Sequence, residues 1–263
     1  MKKLLIAAAL FILPAAAHAA ESPWVSADYA QARLIAGAHK AGVEIRLAPG
    51  WHAYWRMPGD GGLAPQFDWL ASKNLKSATV QWPVPKRYED AGLQSFGYEG
   101  QFILPLAIDA EKDAEAVDLA LSMNLMVCEK ICVPQKLELA LAVPPGNVPA
   151  GEHDARLSAV ALPVSGQTAK LRIENLVIGP DALVARVYAP RGFDAVDLFV
   201  DAGEDFYITA KPEITVDDKD PHYAMVRVAA PAGIDNLFNE VSGHAMIVVV
   251  TDGEQAIEKE FSF

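Results

Sequence analysis

The sequence predicts an all-β chain built as two β-sandwiches in tandem. Three observations carry that prediction. Short segments with every second residue apolar recur throughout, Gly, Pro or Asp turns separate them, and a Pro/Gly-rich stretch divides the chain into halves of sandwich size. In the first half the strand segments are Gln31 to Ala36, Val43 to Leu47, Ala53 to Arg56, Ala78 to Trp82, Phe102 to Ile108, Val117 to Val127 and Lys136 to Val143. In the second they are Lys170 to Ile178, Ala182 to Ala189, Val196 to Val200, Asp205 to Thr209, Tyr223 to Val228, Ala245 to Thr251 and Ala256 to Phe263. Such close spacing favours immunoglobulin-like sandwiches over a parallel α/β sheet. The break runs from Pro144 to Gly166, and His153 to Leu162 inside it reads as a short helix. No strong internal repeat relates the halves. The expected organisation is a targeting segment over 1–19, a first domain over 20–143, a linker over 144–166 and a second domain over 167–263.

The targeting segment rests on order. Lys2 and Lys3 supply a positive start, Leu4 to Leu13 an apolar run, and Ala17-His18-Ala19 a small-residue cleavage site. Cleavage there would start the mature chain at Ala20 and place it in the periplasm. No segment reaches the roughly 20 apolar residues that a membrane-spanning helix needs, so no direct membrane insertion is expected. A formal net charge of -12 over 263 residues excludes nucleic-acid binding through phosphates.

Export bears on the two cysteines of the chain, because disulfides form and persist outside the cytoplasm. Val117, Leu119, Leu121, Met123, Leu125 and Val127 alternate strictly with Asp118, Ala120, Ser122, Asn124, Met126 and Cys128, so the odd positions face the core. On the return, Leu137, Leu139, Leu141 and Val143 do the same. Cys128 and Cys132 then share the even, more polar face. Only Glu129, Lys130 and Ile131 separate them, and a tight reversal there would bring both sulfurs together outside the core. Three-residue hairpins usually place Gly in a left-handed position, and with none here a strained, easily reduced turn is expected. Pro134 cannot donate to a ladder and marks an edge.

Three uses of the pair stand open from the residues alone: thiol-disulfide exchange, a structural bridge, and Cu(I) binding by Met126, Cys128 and Cys132 as soft ligands. A bridge closing so small a loop stabilises by less than the roughly 3 kcal/mol that chain entropy assigns to a loop of 15 residues, which favours exchange. Exchange needs no cofactor beyond the cysteine pair, and Lys130 is the loop's one cation.

Further motifs carry a resemblance. Gly50-Trp51-His52-Ala53-Tyr54-Trp55-Arg56-Met57-Pro58-Gly59-Asp60, Gly62-Leu63-Ala64-Pro65, Phe96-Gly97-Tyr98-Glu99-Gly100 and Val127-Cys128-Glu129-Lys130-Ile131-Cys132-Val133-Pro134 together resemble the N-terminal periplasmic region of the DsbD/ScsB thiol-disulfide reductases, closely over residues 24 to 143. The Cys-x-x-x-Cys spacing is nearer the ScsB type. The resemblance implies an immunoglobulin-like domain whose pair, Cys128 and Cys132, takes electrons from a membrane-embedded reductase and passes them to thioredoxin-fold periplasmic proteins. It also implies that Cys132 engages the partner and that Phe96, Gly97 and Tyr98 belong to a cap shielding the sulfurs, while from the residues alone Phe96 and Tyr98 read equally as ordinary core packing. The membrane and thioredoxin-like domains of full-length reductases are not among these 263 residues, so another protein is expected to supply the electrons.

Other residues carry blander expectations. His52, His153, His222 and His244 lack metal-ligand spacing and read as solvated or structural. Asp217-Asp218-Lys219-Asp220 reads as a polar turn. Trp51, Trp55, Trp69 and Trp82 read as packing residues of the first half. The second half reads as a spacer or docking module.

Overall fold

The computed structural model describes residues 21–37, 40–90, 92–145, 151–203 and 206–263. The targeting segment expected over 1–19 lies outside them. The first half contains β1 (Val25–Ser26), β2 (Ala30–Ala36), β3 (Ala41–Leu47), β4 (His52–Gly59), β5 (Gln66–Asp68), β6 (Leu75–Val80), β7 (Lys86–Asp90), β8 (Leu93–Glu99), β9 (Gln101–Ala110), β10 (Val117–Cys128) and β11 (Cys132–Val143). After it come α1 (Glu152–Ser158), β12 (Val164–Ser165), β13 (Arg172–Ile178), β14 (Ala182–Tyr188), β15 (Val196–Asp201), β16 (Glu213–Val216), β17 (Tyr223–Ala229), α2 (Leu237–Val241), β18 (Ala245–Asp252) and β19 (Gln255–Ser262).

Each half pairs two sheets. The first packs β1-β2-β3-β9-β6 against β11-β10-β4-β8-β7, with β5 joined to β10, and the second packs β12-β19-β18-β15 against β13-β14-β17-β16. The all-β expectation holds. Alternation explains the first core: Val117, Leu119, Leu121, Met123, Leu125 and Val127 of β10 and Leu137, Leu139, Leu141 and Val143 of β11 are all buried. At roughly 1.5 to 3 kcal/mol for each large apolar side chain removed from water, this one hairpin supplies a large share of the driving force. As expected of the strand carrying Pro134, β11 is an edge strand. No described helix is long and apolar enough to cross a membrane.

One feature departs from expectation. Phe206 to Thr209 form no strand, and Asp205 lies outside the described residues. Instead of entering a ladder, the Thr209 carbonyl accepts from Arg87 Nη1 at 2.6 Å and its hydroxyl donates to Asp60 Oδ1 at 2.7 Å. The short helix expected over His153 to Leu162 forms, as α1. It docks on the outer face of β3, where Gly42 lacks the Cβ that would collide with Leu157. Beside it the wholly buried Glu44 carboxylate accepts from Arg33 Nε at 2.7 Å, Gln101 Nε2 at 2.5 Å and Arg156 Nη2.

The halves also share a core. Phe199 of β15 and Val249 of β18 are buried together with the apolar residues of the first half, and the Phe199 ring meets Phe96 and Trp55 edge-on at 5.2 and 6.1 Å.

Candidate redox site

The site is built at the tip of the β10–β11 hairpin. Cys128 and Cys132 are register partners joined by a disulfide, with Cα atoms 4.1 Å apart. The turn between them needs no left-handed residue, since Asn74 is the one non-glycine with positive φ among the described residues. The strain expected from the missing glycine is therefore absent from the backbone: the residues of 129–131 keep to negative φ.

Next to β10 runs β4, in register with Val127 opposite Ala53 and Cys128 opposite His52. Paired residues share a sheet face, so Val127, Ala53 and Trp55 face the core while Cys128, His52 and Tyr54 face the other way. The Tyr54 hydroxyl consequently reaches the sulfurs, donating to Cys128 Sγ at 2.7 Å and lying 3.6 Å from Cys132 Sγ. Its ring is covered by the turn that follows β4, occupying the space where a Cβ on Gly62 would sit. At φ +102° Gly62 is also in the region that favours glycine.

The two sulfurs differ in access. Cys132 is exposed, whereas Cys128 is only 3% exposed, which corrects the expectation that both lie open. Parity places Cys128 off the core correctly, but β4 and its aromatic side chains roof that face. His52, expected to be solvated or structural, is buried in this roof. Its ring stacks on Tyr88 of β7 at 4.6 Å and meets Tyr54 edge-on at 5.3 Å. Burial, and then the negative charge of Glu99, push the Tyr88 hydroxyl well above its ordinary range, so it stays protonated. Glu99 itself pairs with Lys86 at 2.6 Å on the rim.

Phe96 and Tyr98 do not shield the sulfurs. They lie on β8 with Tyr98 opposite Ala53, on the core face. Phe96 is fully buried against Phe199, with the Arg87 guanidinium 4.7 Å from its ring centroid. Tyr98 donates to the Pro83 carbonyl at 2.8 Å and stacks on Phe102 at 4.8 Å. Gly97, between them, faces the Tyr54 side. A Cβ there would strike the Ala53 carbonyl oxygen, so its role is to let β4 and β8 approach closely. Sequence reasoning missed Tyr54 and His52 as site residues, although their period-two spacing around Ala53 already put them on one face.

Met126 shares the Cys128 face and sits opposite Pro134. In this state both sulfurs are committed to each other. Among the described residues no group of three or more His, Cys, Asp or Glu is placed to hold a metal.

Chemically the arrangement is asymmetric. An incoming thiolate can reach Cys132, and the sulfur that would then leave, Cys128, already has a hydroxyl donor on it.

Comparison with known proteins bears on the fold. Residues 148–262 match a domain family of unknown function, and no curated protein matches the chain. Among solved structures, the N-terminal periplasmic domain of ScsB from Proteus mirabilis superposes with a TM-score of 0.70 at 22% identity, covering 93% of this chain and 98% of that one. A marsupial T cell receptor aligns over 90% of this chain and 98% of that one, at 10% identity and a TM-score of 0.24, too low to carry an argument. Residues 22–144 match the model of the N-terminal region of the thiol:disulfide interchange protein DsbD, so the first half of the chain carries a DsbD-type N-terminal domain, with the immunoglobulin-like fold it shares with the ScsB domain.

Proposed function

We propose that the chain is a periplasmic thiol-disulfide exchange protein, exported by the segment over 1–19, which passes electron pairs between redox proteins through Cys128 and Cys132. One observation carries the reading: a closed disulfide with one sulfur exposed, the other buried, and a tyrosine hydroxyl on the buried one.

In the reduced protein the Cys132 thiolate attacks a partner disulfide. A mixed disulfide forms and one partner sulfur leaves as thiolate. The Cys128 thiolate then attacks Cys132 Sγ, releasing the second partner sulfur, so two electrons pass to the partner and the internal disulfide is restored. Recharging runs the same steps backwards: a donor thiolate attacks Cys132 Sγ and Cys128 departs as thiolate, stabilised by the hydrogen bond from Tyr54. Thioredoxin-fold proteins with an accessible Cys-x-x-Cys fit as acceptors, and a membrane-embedded reductase fits as donor. The chemistry asks for no cofactor.

Trapping tests the reading. In Cys128→Ser the exchange stops at the mixed disulfide, and a covalent complex through Cys132 with an oxidised thioredoxin-fold protein is expected. In Cys132→Ser the remaining buried sulfur should trap nothing. If neither variant forms a complex while the reduced protein binds Cu(I) tightly through Met126, Cys128 and Cys132, the exchange reading is overturned in favour of a metal-binding one.

A further inference from the structure

The second half of the chain reaches the redox site along two routes, both starting at the shared core. On the first route, Arg87 of β7 spends its guanidinium on the second half. It forms a bidentate pair with Asp197, at 2.9 Å from Nη2 and 3.2 Å from Nε, and donates to the carbonyls of Thr209 at 2.6 Å and Leu198 at 3.2 Å. Its side chain is 11% exposed. Forked pairing of this kind fixes direction as well as distance. The next residue, Tyr88, points to the opposite face by strand alternation and stacks on His52, which packs edge-on against Tyr54.

The second route runs through Asp60. Thr209 donates to its Oδ1 at 2.7 Å, while Oδ2 accepts from the Gln94 amide at 2.8 Å and the Asp60 amide donates to the Gln94 carbonyl at 2.8 Å. Asp60 thus latches the end of β4 to the start of β8 and is itself latched to the second half. Two residues on lies Gly62, whose backbone covers the Tyr54 ring.

Both routes converge on the side chain that touches the buried sulfur. We propose that the second half is a working part of the redox site, with Arg87 and Asp60 as positioning residues that, anchored by Asp197 and Thr209, hold the Tyr54 hydroxyl on Cys128. This half is then more than a spacer. Its role rests on the disulfide being reducible, not on the identity of any partner.

The test uses the full mature chain and dithiothreitol. One dithiothreitol thiolate attacks Cys132 Sγ and Cys128 leaves as thiolate. The second dithiothreitol thiol then closes the ring, giving oxidised dithiothreitol and the protein dithiol. In Asp197→Asn/Thr209→Val, a near-isosteric double change, the reduction rate is expected to fall about threefold. Introduced into Tyr54→Phe, the same pair should change the rate by nothing further, because the hydroxyl it positions is gone. Asp197→Asn/Thr209→Ser should recover part of the loss. Ile173→Val, in the separate core of the second half, should lower thermal stability and leave the rate unchanged.

An equal slowing in both Tyr54 backgrounds, or no slowing in either, overturns the proposal. A slowing matched by Ile173→Val at equal loss of stability also overturns it. Failure of the exchange function alone would appear differently, as unchanged coupling toward dithiothreitol with no trapped partner.

Discussion

Replacing Tyr54 with phenylalanine removes one oxygen from a buried position and leaves the ring to pack as before. That oxygen lies 2.7 Å from Cys128 Sγ. While the disulfide is closed, the hydroxyl donates to a neutral sulfur and the bond is weak; once Cys128 carries charge it becomes a charge-assisted bond worth roughly 1.5 to 3 kcal/mol. The variant therefore destabilises the thiolate form of the reduced state more than the oxidised one. At about 30 mV for each 1.4 kcal/mol in a two-electron couple, the reduction potential, measured at a pH where Cys128 of the reduced protein is ionised, should move about 30 to 60 mV towards the reducing side. If about half of that free energy is felt in the transition state, reduction by dithiothreitol slows roughly 4- to 13-fold. Stopped-flow reduction followed by intrinsic fluorescence, with equilibration against a glutathione buffer, gives both numbers. An unchanged potential together with an unchanged rate would refute the role given to the hydroxyl.

Two further substitutions probe the scaffold. Burial alone would raise the Glu44 carboxyl, but hydrogen bonds and charge from Arg33 and then Arg156 outweigh it and hold it below its ordinary range. Its contribution is therefore complete above the unfolded-state value near pH 4.5 and fades as pH falls through the lower folded value. Glu44→Ala should cost about 3 kcal/mol at pH 7, the low end for a broken buried pair because Arg156 keeps 26% of its side-chain surface exposed. The deficit should shrink in urea titrations near pH 3, and a deficit that grows with acid would contradict the assignment. Gly97→Ala forces the β4 and β8 backbones apart where Tyr54 pairs with Gly97, and should cost about 3 kcal/mol or more by chemical denaturation while slowing disulfide reduction. A near-neutral change would show that the strands can part without loss.

How much of this was legible in the sequence depends on where each contact partner sits. The β10–β11 hairpin was readable because both strands alternate strictly and their partners are close in sequence. Both the meeting of the cysteines and the buried odd positions followed from that pattern. By contrast, Lys86-Arg87-Tyr88-Glu89-Asp90 carries no alternating apolar pattern, and it is a strand by pairing with β8, its Arg87 meeting an acceptor, Asp197, 110 positions away.

The aromatic segment around Gly97 misled for a related reason. Its period-two spacing put Phe96 and Tyr98 on one face together, but only the neighbour on each side, β4 and β7, decides that this face is the core. Burial of Cys128 was hidden the same way. Strand parity gives the side of the sheet a residue occupies, and the roof of His52, Tyr54 and Tyr88 over that side comes from tertiary packing. Glu44 sits in an alternating strand as an ordinary outward residue until the helix after the first half covers it with Arg156.

The asymmetry of the two sulfurs can be read out without any partner protein. The oxidised wild-type protein is exposed briefly to limiting glutathione, quenched by alkylation and digested, and the glutathione adduct is located by peptide mass mapping. Glutathione is expected on Cys132, with Cys128 alkylated. Glutathione on Cys128, or spread evenly over both, would contradict the assignment of Cys132 as the entry point.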